Sequence, residues 1–284
     1  MIDERRLDEL REEAARTGSV AGKLLRYYDV PLLKAPVWSW EVPAYFFVGG
    51  GAGAAAVLAA AARLTGADAS LVKDARWIAA VGAAVSGPLL IADLGRPERF
   101  LNMMRVFKPQ SPMSVGAWIL AGFGTLSAAT VLADLLGFER IADTAGVLSA
   151  ATGLGMATYT GVLLGATAIP AWAEHVSLLP FHFGASALGS AASALQLRGH
   201  DEKALHILAF GAAVFETAAA VPPRSTTMKA AEFLSGPVPL ALRLLGLRSK
   251  RARRAAAAAT LLGSLLTRLA WVESGRDSAA ESGP

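Results

Sequence analysis

The sequence has 284 residues, of which 54% are apolar and only 18% are charged, and its formal net charge is +4. Soluble domains carry about a quarter charged residues, so this composition argues against a soluble enzyme and favours a membrane protein. Cysteine is absent, which excludes disulfides, thiolate-ligated zinc, c-type haem attachment and iron–sulfur clusters held by this chain.

The N-terminal segment, residues 1–41, precedes the first long apolar stretch. Residues 1–26 are rich in Arg, Glu and Asp and contain no apolar h-region. The segment is therefore predicted to be a charged or amphipathic arm rather than a cleavable signal peptide.

Long uncharged stretches follow, and three of them cover residues 42–62, 109–133 and 144–173. Each can supply the roughly 20 residues that a spanning helix needs. The sequence predicts an all-α fold, a polytopic transmembrane helix bundle of about eight spans at residues 42–273, followed by a short tail at 274–284. The predicted spans are 42–63, 76–94, 114–136, 143–169, 178–197, 204–222, 233–247 and 255–272.

The seventh span is the least regular of these. Pro237 and Pro239 interrupt it, and Arg243 lies inside it. The segment is predicted to be short, tilted or re-entrant, with any break buried by neighbouring helices.

Alternation of the spans assigns each helix end to one of two membrane surfaces. Face A receives the starts of odd spans and the ends of even spans. It includes residues 38–45, the 93–114 loop, 159–175, His182, 216–224 and 268–273. Face B receives the other ends, including the basic run 248–254, for which we expect a topological and lipid-contacting role rather than nucleic-acid binding. Most polar residues at membrane depth belong to face A, which favours a functional site there.

The 93–114 loop between spans 2 and 3 is much longer than a simple connection needs. It mixes charges with apolar side chains, a composition that suits docking of another protein. The alternative is that its charges only neutralise one another at the lipid headgroups. The predicted docking residues are Arg96, Glu98, Arg99, Phe100, Arg105 and Phe107.

Two runs in this region, Asp93-Leu-Gly-Arg-Pro-Glu-Arg-Phe and Pro109-Gln-Ser-Pro-Met-Ser-Val-Gly-Ala-Trp118, closely resemble the signature of the NrfD/PsrC family. The segments at residues 38–50 and 159–172 also resemble sequence segments of that family. The family comprises quinone-reactive membrane subunits of polysulfide reductases, nitrite reductases and related molybdopterin or cytochrome complexes. The resemblance, with the number of spans, covers essentially the whole chain.

The resemblance implies a subunit of the cell membrane that binds quinone or menaquinone as a diffusible substrate and holds no haem or metal. It also implies an iron–sulfur, ferredoxin-like subunit docked on face A and a catalytic oxidoreductase subunit beyond it. A quinone headgroup needs hydrogen-bond donors and a proton path. The predicted quinone-site and proton-path residues are Glu41, Tyr45, Asp93, Arg96, Tyr159 and Glu216.

Each of these groups also has a purely structural interpretation. Tyr159 can be a buried tyrosine bonded to a backbone carbonyl, and Glu41 can be a carboxylate stabilised by the start of its helix. Glu216 can form a structural ion pair with Arg268. The simplest interpretation of the tryptophans at this end is an interfacial belt: Trp38, Trp40, Trp172 and Trp271.

The four histidines do not favour a b-type haem. His182 and His206 are predicted near opposite faces, and pairing His175 with His182 would require a ligand from a loop. Two further functions stay open: a secondary transporter, favoured by the broken seventh span and by Glu216, and a passive membrane anchor of a redox complex. The basic residues of face B favour an orientation with face A outside the cytoplasm.

Overall fold

The computed structural model describes residue 33 and residues 36–96, 98–222, 225–245 and 249–281, and this part of the chain is helical without strands. Most of the predicted 1–41 arm lies outside the described residues. The helices are α1 (Glu41–Leu64), α2 (Ala69–Asp93), α3 (Glu98–Arg105), α4 (Pro112–Leu135), α5 (Glu139–Gly165), α6 (Pro170–Ala173), α7 (Leu179–Leu197), α8 (Lys203–Ala218), α9 (Thr226–Ser235), α10 (Pro237–Leu245) and α11 (Lys250–Glu281). The predicted all-α class is confirmed.

Within the described residues, five helices are long and apolar enough to cross a membrane: α1, α2, α4, α5 and α11. With 16 residues, α8 is shorter than the roughly 20 that a full crossing needs. The chain is a membrane helix bundle, and the number of eight crossings stays a prediction.

The predicted irregularity of span 7 appears as a break between α9 and α10. Gly236 separates the two helices, and a Cβ atom there would lie 2.7 Å from the Thr217 hydroxyl oxygen. Pro237 opens α10, where its missing N–H costs no helical hydrogen bond. The break is packed against α8, as a non-helical point at membrane depth requires.

Several span boundaries differ from those predicted. The second span begins at Ala69 rather than 76, and the broken seventh span begins at Thr226 rather than 233. The fourth span ends at Gly165 rather than 169, and a short helix, α6, follows it. The last helix continues to Glu281 rather than 272. This extension is packed, because the Ser278 hydroxyl accepts a hydrogen bond from the Ala171 N–H at 3.2 Å.

Helix α1 lies at the centre of the bundle and packs against α2, α5, α7 and α11. Its contact with α5 is a direct backbone approach: a Cβ at Gly53 would lie 2.3 Å from the Gly153 carbonyl oxygen. The small-residue segments of spans 1 and 4 thus bring helix backbones together, as the sequence predicts.

Candidate functional site

Hydrogen bonds and ring stacking hold the helix ends of face A together. Asp93 Oδ1, at the end of α2, accepts hydrogen bonds from the Ser39 N–H (3.1 Å) and the Ser39 hydroxyl (3.0 Å). The ring of Trp38 stacks on that of Trp172, with centroids 5.4 Å apart. Asp93 therefore connects the segment before α1 to the end of α2 through hydrogen bonds, and its Oδ1 atom already accepts from two donors of the protein.

The interfacial-belt interpretation is wrong for Trp172 and Trp271. Both side chains are buried, and the Trp172 indole N–H donates to the Trp271 carbonyl oxygen at 2.7 Å. A Cβ at Gly275 would lie 2.0 Å from Trp172 Cζ2, so the turn of α11 that continues beyond the predicted span encloses the ring. Trp40 is exposed, as expected of a belt residue.

Tyr45 of α1 and Tyr159 of α5 are buried at the face A end of the bundle, on two helices that pack against each other. The Tyr159 ring lies against Gly116 of α4, where a Cβ would be 2.2 Å from Tyr159 Cε1. The Tyr159 hydroxyl is buried and has no partner with hydrogen-bonding geometry among the described residues. Because buried hydroxyls are nearly always paired, this O–H group is suited to donate a hydrogen bond to the carbonyl oxygen of a ligand.

Glu41 opens α1, one turn before Tyr45 on the same helix. Its Oε2 atom is buried and has no hydrogen-bond partner among the described residues. The helix N-terminus favours a negative charge at this position, so the structure is compatible with both interpretations of Glu41.

Glu216 belongs to a second buried cluster, formed by α7, α8 and α11. Its Oε2 atom lies 3.0 Å from Nε2 of His182, and both side chains are buried. The predicted Glu216–Arg268 ion pair is therefore wrong, since His182 is the direct partner. The cavity beside the pair has about 10 Å³, space for one water molecule at most. That volume excludes a quinone headgroup but suits a proton-carrying group.

Arg268 lies next to this cluster and is fully buried. It donates to the Phe183 carbonyl oxygen at 3.0 Å and to the Ser264 hydroxyl at 3.0 Å, and it also contacts the Ser186 hydroxyl. Its guanidinium carbon lies 4.7 Å from the centre of the Phe183 ring. Arg268 attracts Glu216 electrostatically without pairing with it directly.

Aromatic rings connect the two clusters. Phe46 lies 5.7 Å from Tyr45 and 6.5 Å from Phe183, measured between ring centroids, and Phe183 lies 6.2 Å from His182. The predicted site residues thus fall into a tyrosine cluster on α1, α4 and α5 and a histidine–carboxylate cluster on α7 and α8. Sequence reasoning missed His182, considered only as a haem ligand, although it is an ionisable residue facing Glu216 on the adjacent span.

The predicted docking loop folds partly into α3, a short helix without buried residues. Arg96, Glu98, Arg99 and Arg105 are exposed, and Phe100 is partly buried. Leu101, Val106 and Phe107 are exposed apolar residues beside these charges, and Phe107 also contacts the edge of Trp118 at 6.2 Å. Arg96 and the docking residues therefore lie on the outer surface of face A, apart from the buried tyrosines.

The histidine rings have protein partners. His200 contacts Asp74, His206 contacts Asp201 and Gln196, and His175 contacts the Ala171 carbonyl oxygen. Among the described residues, no group of three or more histidine or carboxylate side chains is arranged to hold a metal ion.

Comparison with known proteins connects this arrangement to one family. The family model described as "Polysulphide reductase, NrfD" matches residues 31–206. This range contains Tyr45, Asp93, Tyr159 and His182 and ends before Glu216. No curated protein matches the chain in sequence.

Proposed function

This chain belongs to the polysulphide reductase, NrfD, family, and we propose that it is the quinone-interacting subunit of a multi-subunit redox complex in the cell membrane. In this proposal it exchanges electrons between quinone or menaquinone and an iron–sulfur subunit docked over α3. A catalytic oxidoreductase subunit completes the complex, and the membrane chain itself holds no haem or cluster.

The observation that carries this proposal is the hydroxyl of Tyr159, which is buried beside Gly116 and has no hydrogen-bond partner within the part of the chain that the structure describes. A quinone carbonyl accepts hydrogen bonds, and a buried phenol without a protein acceptor is a suitable donor. Glu41 lies one turn from Tyr45, and one of its carboxylate oxygens has no hydrogen-bond partner among the residues described. Quinone reduction takes up two protons with its two electrons, and an ionisable group beside the headgroup supplies a route for them.

Glu216 and His182 are suited to a later step of the same proton path. Both ionisable groups are buried and in contact, and ionisable residues at membrane depth commonly carry protons. Phe46 and Phe183 separate this pair from the tyrosines, so the pair acts on protons rather than on the quinone.

The proposal is tested with Tyr159→Phe and Glu41→Gln in the assembled complex. Tyr159→Phe removes the hydroxyl and Glu41→Gln removes the ionisable charge, each at nearly constant volume. We expect quinol turnover to fall while assembly is unchanged. Losing a hydrogen bond costs about 0.5–1.5 kcal/mol, which corresponds to a turnover rate lower by up to about tenfold. Ser149→Ala is the matched control, since it removes a buried hydroxyl of the same helix that bonds to Ser127. Unchanged quinone kinetics in both test variants would count against this site.

The two alternatives predict different results. A passive anchor would not be labelled by a photoreactive quinone analogue at residues near Tyr159. A secondary transporter, for which the break at Gly236 beside Thr217 is the supporting feature, would move solute across vesicles without partner subunits. Labelling near Tyr159 together with absent solute transport supports the quinone subunit.

A further inference from the structure

A basic cavity lies at the opposite membrane surface, where α7, α8, α10 and α11 meet on face B. Two adjoining cavities of about 300 Å³ and 370 Å³ share His206 and Arg253 in their walls. Arg254 and Lys250 border the first, and Lys203 and Arg243 border the second. The quinone-site residues do not contribute to either.

Arg243 is the unusual member of this group. Its side chain is 5% exposed, and it donates to Gln196 Oε1 at 3.0 Å and to the Ser193 hydroxyl at 3.1 Å. Its Nε atom has no hydrogen-bond partner among the described residues. The groups to which the rest of the Arg243 guanidinium donates there are neutral. A buried cation at membrane depth without a countercharge is costly, so the cavity that it borders favours an anion.

The neighbouring carboxylates do not supply that negative charge. Asp201 lies 2.7 Å from His206 Nε2 and 3.0 Å from Arg253, and these partners hold its pKa below the usual range. The carboxylate of Glu202 is turned towards His200, at 3.8 Å. Lys203, Lys250 and Arg254 are exposed at the cavity rim. The walls of the two cavities therefore keep an excess of positive charge.

The second cavity is mainly apolar away from its cations. Ile207 and Phe210, one turn apart on α8, line it and are exposed. A small hydrophilic anion would leave these side chains uncovered. An amphiphile whose charged head is joined to a hydrocarbon chain satisfies both parts of the cavity.

We propose that this cavity binds an anionic phospholipid, with its phosphate among Lys203, Arg253 and Arg243 and an acyl chain along Ile207 and Phe210. Basic pockets between transmembrane helices are suited to anionic headgroups, because each nearby cation adds electrostatic attraction. The proposal rests on face B alone and is independent of the quinone site.

The test is native mass spectrometry of the delipidated complex, titrated with phosphatidylglycerol, cardiolipin or phosphatidylcholine. We expect the two anionic lipids to bind and the zwitterionic lipid to bind at least tenfold more weakly. Lys203→Gln should weaken binding about fivefold, the usual effect of one interfacial cation. Arg140→Gln, which removes an exposed cation elsewhere on face B, should leave the affinity unchanged.

A second pair of variants tests the acyl-chain part without altering charge. Ile207→Trp should fill the apolar cavity and weaken binding, whereas Ile141→Trp, at a residue of nearly equal exposure (58% against 59%), should not. Equal affinity for all three lipids would overturn the proposal. So would competition by inorganic phosphate at the concentration of the lipid, or equal effects of the test and control variants.

Discussion

The Nε2 atom of His182 lies 3.0 Å from Oε2 of Glu216, and both side chains are buried between α7 and α8. His182 Nδ1 and Glu216 Oε1 have no hydrogen-bond partner among the described residues. The pair borders a small cavity that Glu232, Ser235 and Thr267 also line, and Trp271 lies 6.3 Å from the imidazole between ring centroids. Such a contact is costly to break because each partner would be left buried and unpaired.

We predict that the two side chains are energetically coupled. His182→Ala and Glu216→Ala should each lower the free energy of unfolding by about 3–5 kcal/mol. The double variant should lose at least about 1 kcal/mol less than the sum of the single variants. Unfolding in mixed micelles measures this coupling, with the neutral Ser127–Ser149 pair, 2.8 Å apart, as the reference. Additive losses at His182 and Glu216 would show that the contact is not formed.

Gly116 is predicted to be essential for the position of the Tyr159 ring. Gly116→Ala would place a Cβ 2.2 Å from Tyr159 Cε1, so the ring must move. We expect quinol turnover to fall at least as far as in Tyr159→Phe, which removes only the hydroxyl. Gly124→Ala is the control on the same helix, because a Cβ there meets no atom within 4 Å. Normal turnover in Gly116→Ala would argue that the ring position is not required.

The helix class, most span positions and the break in span 7 could be predicted from charge-free stretches and prolines. The resemblance to a known family also selected Tyr45 and Tyr159 as quinone-site residues, and their role there stays a prediction. The sequence paired Glu216 with the wrong residue, because span alternation gives the depth of a side chain but not the direction in which it points. Whether His182 or Arg268 faces Glu216 depends on how each helix is rotated about its axis. Close backbone contacts fix that rotation. One example is Gly263 of α11, where a Cβ atom would lie 2.2 Å from the Leu234 carbonyl carbon.

Helix α3 is predicted to be a contact surface for the iron–sulfur partner. Leu101→Glu should reduce the amount of partner that copurifies with the chain, since it places a carboxylate on an apolar part of the proposed interface. Leu136→Glu is a control on face B, because Leu101 and Leu136 are equally exposed, at 67%. The membrane chain itself should reach normal levels in both variants. If Leu136→Glu alone releases the partner, the docking surface is on face B.

The two arginines that bind Asp143 on face B should contribute differently to stability. The Arg76 side chain is 7% exposed and contacts Asp134 and Asp143 at 2.7 Å each, whereas that of Arg63 is 48% exposed. Arg76→Met leaves Asp134, which is 28% exposed, without its partner and should cost about 1.5–3 kcal/mol, the usual contribution of hydrogen bonds between charged groups. Arg63→Met should lower the melting temperature much less, because exposed ion pairs contribute little to stability. Equal losses in thermal unfolding would contradict this burial argument.

We predict that face A of the chain lies outside the cytoplasm. Face B carries the basic run 248–254, and short basic connections usually stay in the cytoplasm. It also carries Arg63, Lys73, Arg76, Arg198 and Lys203. Face A has its own cations, Arg96, Arg99, Arg105 and Lys108, and acidic neighbours count little in this rule, so the difference between the faces is small.

Two fluorescent reporters that fold only in the cytosol test both the direction and the number of crossings. One is fused after Pro284, and the other is inserted at Gly137. Gly137 has a φ of 77° in the exposed connection between α4 and α5, so insertion there avoids the Asp143 ion pairs. We expect fluorescence at Gly137 and none after Pro284. The reverse pattern would invert the orientation. Fluorescence at both sites would mean that α9 and α10 together do not cross, because α5, α7, α8 and α11 alone make four crossings, and an even number returns the C-terminus to the side of Gly137.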